Sequence, residues 1–185
     1  MTRKPATYAD LEALPPNLVG EIVNGELYAT PPLATRQASA AMHLAGELHN
    51  PFGRGRGGPG GWLFLFKPEL HLGQDVLVPD IAGWRRERMP KVPDVVGIQM
   101  APDWLCEVLS PSTSRLDRVR KLPIYAREGV KHVWLVDPLQ RTLEVFRLEG
   151  GHYLLLGTYE EAETVHAEPF EALPLELKVL WEDVE

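Results

Sequence analysis

One run of six residues constrains this chain more than any other. Trp104-Leu105-Cys106-Glu107-Val108-Leu109 is apolar throughout except for Glu107. A short, unbroken apolar run reads as a central β-strand covered on both faces. Ser110-Pro111-Ser112-Thr113 breaks it. Ser114 is then placed to cap a helix running to about Glu128, with Pro123 as a kink or restart and Gly129 as the stop. A second apolar run, Val133-Trp134-Leu135-Val136, ends at Asp137-Pro138. Strand, helix, strand over about thirty residues is a βαβ-like unit, so the two strands are expected to be parallel neighbours. A carboxylate inside such a strand is costly unless it is paired, protonated or bound to a cation.

Other elements follow from local signals. Tyr8 to Leu14 reads as a short helix with Thr7 as its cap, stopped by Pro15-Pro16. Asn24-Gly25 between Glu21-Ile22-Val23 and Glu26-Leu27-Tyr28 is a hairpin signal. Glu21 can reach a site from that hairpin, but an exposed strand carboxylate is the favoured reading. Thr35 to His49 has an apolar helical face of Ala41, Leu44, Ala45 and Leu48. His43 and His49, six residues apart, share no helical face and are not read as a metal pair. Phe52 to Gly61 is a glycine-rich loop with Arg54 and Arg56 but without the Gly-Lys-Ser/Thr ending of a phosphate-binding loop. Trp62 to Leu72 reads as one long strand and Val76 to Trp84 as its antiparallel partner, followed by a proline-containing loop. Thr142 to Leu148 and His152 to Thr158 form a further hairpin around Gly150-Gly151. Thr164 to His166 is a short strand, and Leu173 to Trp181 a strand or short helix.

Length and charge set outer bounds. At 185 residues a single domain, 1–185, is expected: an N-terminal hairpin and helix over about 8–50, a core over about 62–138 and a C-terminal hairpin extension over about 141–181. The single cysteine, Cys106, rules out an intrachain disulfide framework and a cysteine-rich zinc site, and fits a cytoplasmic setting. There is no long apolar stretch and no apolar signal core in Met1 to Asp10, so neither membrane insertion nor secretion is expected. The net charge of −7 is unevenly spread. Residues 141–185 carry three basic and eleven acidic side chains, which leaves residues 1–140 at +1. The front part is therefore compatible with phosphate, with Arg85, Arg86, Arg88, Arg115, Arg118 and Arg120 flanking the central strands.

The candidate chemistry is a set of charges. Asp80 ends Val78-Pro79-Asp80; Glu107 follows it by 27 residues, and Lys121 follows Glu107 by 14. If their strands are neighbours, Asp80 and Glu107 can hold a divalent cation against a scissile phosphate, with the Val108 carbonyl as a third oxygen. Lys121 can lower the pKa of an attacking water or pair with the phosphate, and Asp117, four residues earlier, can hold its amine. A purely structural reading fits the same residues: Asp80 in a strand-end turn, and Glu107 in an internal salt bridge with Lys121.

Val78-Pro79-Asp80-Ile81, the run Trp104 to Thr113, Asp117, Lys121, Tyr125, Glu128-Gly129-Val130 and Trp134 to Pro138 resemble the Uma2 (DUF820) family of restriction-endonuclease-like proteins. The opening hairpin, Glu21 to Leu27, resembles its N-terminal hairpin, and the likeness spans about residues 8 to 181. The resemblance implies an α/β (α+β) restriction-endonuclease-like core of the PD-(D/E)XK superfamily: a mixed central β-sheet flanked by helices, with additional β-hairpins. It implies Asp80 and Glu107 as catalytic acids and metal ligands, with Mg2+ or Mn2+ as cofactor. Leu109 stands where the superfamily pattern has lysine, which points to Lys121 as the migrated catalytic lysine. Many relatives carry a histidine near Arg36-Gln37, where this chain has none. Glu69, on the strand expected to pair with that of Asp80, is a supporting candidate beside Asp117.

The function this implies is metal-dependent endonucleolytic hydrolysis of DNA, with Arg115, Arg118 and Arg120 touching nucleic acid. By analogy with other nuclease folds, a homodimer is the expected assembly. The alternatives are a catalytically inactive nucleic-acid-binding module, and an interaction protein whose acidic C-terminal part is a contact surface.

Overall fold

The computed structural model describes residues 4–184. Two β-sheets carry the molecule. The first has six strands in the order β11-β10-β9-β8-β6-β3, the second five in the order β2-β1-β5-β4-β7. In chain order these are β1 (Val19–Val23), β2 (Glu26–Thr30), β3 (Trp62–Phe66), β4 (Glu69–Leu72), β5 (Asp75–Leu77), β6 (Ile81–Arg85), β7 (Gly97–Ile98), β8 (Trp104–Val108), β9 (His132–Asp137), β10 (Thr142–Glu149) and β11 (His152–Glu160). A small pair, β12 (Thr164–Val165) with β13 (Leu175–Glu176), precedes a 3-10 turn at Leu177–Trp181. The helices are α1 (Tyr8–Glu12), α2 (Thr35–Leu48) and α3 (Leu122–Arg127). Wide π-helical turns extend α2 over His49–Gly53 and precede α3 over Leu116–Lys121.

The apolar run behaves as its composition requires. Strand β8 is buried at every position. It lies parallel to β9, with Glu107 opposite Leu135, and antiparallel to β6, with Cys106 opposite Ile81. Trp104, Cys106 and Val108 face a core that contains Ala40, Ala41 and Leu44 of α2. Leu105 faces a second core, with Ile124 and Tyr125 of α3 and Leu70 and Leu77 of the five-stranded sheet. By the two-residue alternation of a strand, Glu107 shares the face of Leu105 and meets α3.

The two long strands expected over 62–72 and 76–84 are each broken. Lys67 has φ +46° and Pro68 follows it, so the chain leaves the six-stranded sheet after β3 and enters the five-stranded sheet as β4. The return crossing, at Val78-Pro79-Asp80, separates β5 from β6. Proline has no N–H to give a central ladder, which is the physical reason both breaks fall where they do. The crossings are tied together: the Lys67 N–H donates to the Asp80 carbonyl at 2.9 Å. The antiparallel relation itself holds, as β3 with β6 and β4 with β5.

The helix expected from Ser114 is also different. Its first part is the π-helical turn, and the Ser114 N–H is used by the Ser110 carbonyl at 2.9 Å. Pro123 sits in the first turn of α3, which continues directly from the π-helical turn.

Candidate active site

The crossings between the two sheets open on one cavity of about 140 Å³. Its wall brings together Glu21 from β1, Lys67 and Asp80 from the crossings, Glu107 from β8, Asp117 and Lys121 from the π-helical turn, and Gln37 from α2. Asp80, Glu107, Lys121 and Asp117, distant in the chain, thus share a single pocket.

Lys121 is the hub. Its side chain is only 2% exposed, and its Nζ lies 2.7 Å from Glu107 Oε1, 2.8 Å from Glu21 Oε1 and 3.4 Å from Asp117 Oδ1. Glu107 Oε1 also accepts the Tyr125 hydroxyl at 2.6 Å. Glu21 Oε1 accepts the Val78 N–H at 2.8 Å. The salt bridge between Glu107 and Lys121 is therefore real, but it is one contact of a larger network. Asp80 is held separately. Its Oδ1 takes the Lys67 ammonium at 2.9 Å, and its Oδ2 takes the Val108 N–H at 2.7 Å, which clamps β6 to β8.

Four carboxylates face two ammonium groups here, a formal excess of two negative charges. The consequences appear in the proton affinities. Burial pushes the Glu107 carboxyl well above the ordinary range; the Lys121 charge opposes this, and Asp117, Asp80 and Glu21 reinforce it. Asp117 is raised for the same first reason, burial. Burial alone would lower the Lys121 ammonium, but Glu107 and Glu21 outweigh it and hold the ammonium well above the usual lysine range. Lys121 stays charged; of the acids sharing it, Glu107 and Asp117 are pushed towards protonation.

The donor set suits a hard divalent cation in its chemistry. Every acidic group is a carboxylate, and the charge excess equals that of one such ion. Yet among the described residues no three His, Cys, Asp or Glu side chains are spaced to hold a metal. Both Asp80 oxygens and Glu107 Oε1 are taken up by lysine, tyrosine and backbone donors.

Several expectations need correction. Glu21 is not an exposed strand carboxylate: it is 5% exposed, because β1 is an inner strand between β2 and β5 and turns this side chain to the cavity. Glu69 does not reach the cavity. It lies on β4 of the same sheet, where its Oε1 accepts the Tyr8 hydroxyl at 2.8 Å and pairs with His71 Nε2 at 2.7 Å. Arg118 is engaged by Glu144 of β10 in a two-point pair. Arg115 and Arg120 are exposed and line a depression of about 480 Å³ that shares Thr30, Pro31 and Ser112 with the cavity. Arg88 pairs with Asp103 at 2.9 Å, and the Arg85 guanidinium stacks 4.2 Å from the Trp62 ring. His43 pairs with Asp183 and His49 with Arg54, so each has its own partner.

Two polar cavity residues were not assigned to the site from the sequence. Lys67 is one; its only signal is the Lys-Pro pair inside an apolar run. Gln37 is the other. Its amide donates to the Leu109 carbonyl at 3.4 Å, while its Oε1 is buried without a hydrogen-bond partner.

The model of the Uma2 family, described as "Putative restriction endonuclease", matches residues 5–179. The chain belongs to the Uma2 family. A crystal structure described as a "putative nuclease belonging to DUF820", from Anabaena variabilis, superimposes with a TM-score of 0.77 at 21% sequence identity, covering 96% of this chain and 98% of that one. At that identity the likeness carries the fold, which is the nuclease fold expected from the resemblance. No curated protein matches the chain. Among the described residues of this Uma2 protein no helix is long and apolar enough to cross a membrane.

Proposed function

We propose that this chain is a metal-dependent endonuclease that hydrolyses phosphodiester bonds in DNA. The observation that carries this reading is the convergence of Asp80, Glu107 and Lys121 on one cavity lined by more carboxyl than ammonium groups. Family membership supports it independently. In this reading Asp80 and Glu107 hold Mg2+ or Mn2+, which supplies a Lewis acid for the phosphoryl oxygens.

The chain's own groups do the rest. Lys121 and the Tyr125 hydroxyl fix Glu107 in one orientation through its Oε1. Glu21 and Asp117 hold the Lys121 ammonium in place, and Val108 does the same for Asp80. Preorganised groups of this kind need no rearrangement as charge develops on the phosphate. Arg115 and Arg120, beside the cavity mouth, pair with the flanking phosphates. The test is cleavage of supercoiled and linear DNA with magnesium or manganese. Wild-type chain should cut, and Asp80→Asn and Glu107→Gln should each lose at least about a hundredfold in rate. Equal cutting by wild type and both variants would refute the assignment.

One observation favours a second reading, an inactive nucleic-acid-binding module: Lys67 already neutralises Asp80. Retention of DNA without hydrolysis under any divalent metal would establish that alternative.

A further inference from the structure

Lys67 combines strain, position and charge in a way its neighbours do not. Its backbone lies in the left-handed region, φ +46°, which a residue with a Cβ rarely adopts. Two bonds hold it there, both to Asp80: N–H to carbonyl and ammonium to Oδ1, each 2.9 Å. The other Asp80 oxygen is occupied by the Val108 N–H. Strain at a residue aimed into a site points to a role there.

Exposure separates the two lysines. The Lys67 side chain is 25% exposed, against 8% for Asp80, so its ammonium approaches from the solvent side and can withdraw along the same path. Lys121, buried among three carboxylates, has no such exit. We infer that Lys67 is a tethered competitor for the divalent cation: it neutralises Asp80 when the metal is absent, and it must be displaced from Oδ1 for the metal to bind. This rests on the metal-dependent reading above. Competition of this kind weakens metal binding by the factor with which the tethered pair is favoured. For a charge-assisted hydrogen bond in a partly exposed setting that factor is about tenfold.

The experiment is a manganese titration followed by the electron paramagnetic resonance of free Mn2+, which requires no turnover. It compares the wild-type chain, Lys67→Met, Lys67→Gly and Lys67→Met/Asp80→Asn. Lys67→Gly suits the left-handed backbone and guards against misfolding of the methionine variant. Both single variants should bind manganese about tenfold more tightly than wild type, and the double variant should lose the gain. Unchanged affinity in both single variants overturns the inference, as does a gain that survives Asp80→Asn. If the wild type binds manganese and cleaves DNA while the lysine variants bind no tighter, the competitor role fails and the nuclease reading stands. If no variant binds manganese, the competitor role fails, and the cleavage assay decides the nuclease reading separately.

Discussion

The Lys121 ammonium is shared by Glu21, Glu107 and Asp117. Replacing Lys121 with methionine leaves three buried acids without that ammonium. The expected loss is about 3–5 kcal/mol, the range for removing one partner of a buried pair. Glu107→Gln removes a carboxyl that burial already disfavours in its charged form, and keeps an oxygen for Tyr125 and Lys121. It should cost less than about 1 kcal/mol. Urea unfolding of the two variants checks this; equal losses would contradict the shared-ammonium account. The same carboxyls set a pH dependence. Glu107 and Asp117 titrate above the ordinary range in the folded chain, so folding favours their protonated forms. Their contribution is complete below the ordinary carboxylate range and is lost as the pH rises through the raised values. In chelator, the melting temperature should fall as the pH rises above the ordinary carboxylate range, and Glu107→Gln should fall less. A parallel decline in both proteins would place the titrating groups elsewhere.

At the scale of elements, the β8-to-β9 crossover was the most legible part of the chain. Unbroken apolar runs, a proline-serine break and a glycine stop are local signals, and each marks a boundary of the parallel pair. Gly129 illustrates why. It follows α3 with φ +78°, and its N–H closes on the Ala126 carbonyl at 3.1 Å. A Cβ there would meet nothing within 4 Å, so the cost of Gly129→Ala is purely that of the left-handed backbone. About 1 kcal/mol is expected, read from the shift of the urea midpoint. No loss would show that the turn tolerates a side chain. The crossings at Lys67-Pro68 and Pro79-Asp80 were less legible. Apolar alternation continues through both, so periodicity joined what the prolines separate. The π-helical turn left no trace in spacing either, because its residues also satisfy an α-helical pattern.

For the molecule as a whole, the distribution of charge decides what can approach the site. The C-terminal residues 141–185 carry most of the acidity, and one of these acids, Glu144, already holds Arg118. The depression beside the cavity keeps Arg115 and Arg120 exposed. If these two arginines each neutralise one phosphate, Arg115→Ala/Arg120→Ala should lower the slope of log affinity against log salt by about 2. Fluorescence anisotropy with a DNA duplex in calcium or chelator, across a salt series, measures it. An unchanged slope would place the DNA path on another face.

The pieces are legible in the chain itself: the buried parallel pair, the hairpins, the family, and a short roster of acids with one lysine. These rest on local chemistry, where burial, turn formation and helix termination depend on residues close in the chain. Which charges meet depends on how the sheets pack. Glu21 joins the cavity from β1, whereas Glu69 on β4 of the same sheet shares the face of His71, opposite the core-facing Leu70, and meets Tyr8 instead. Lys67 reaches Asp80 because the two crossings are bonded to each other. A pair of charges is worth what its distance and burial make it, and both are properties of the packed sheets.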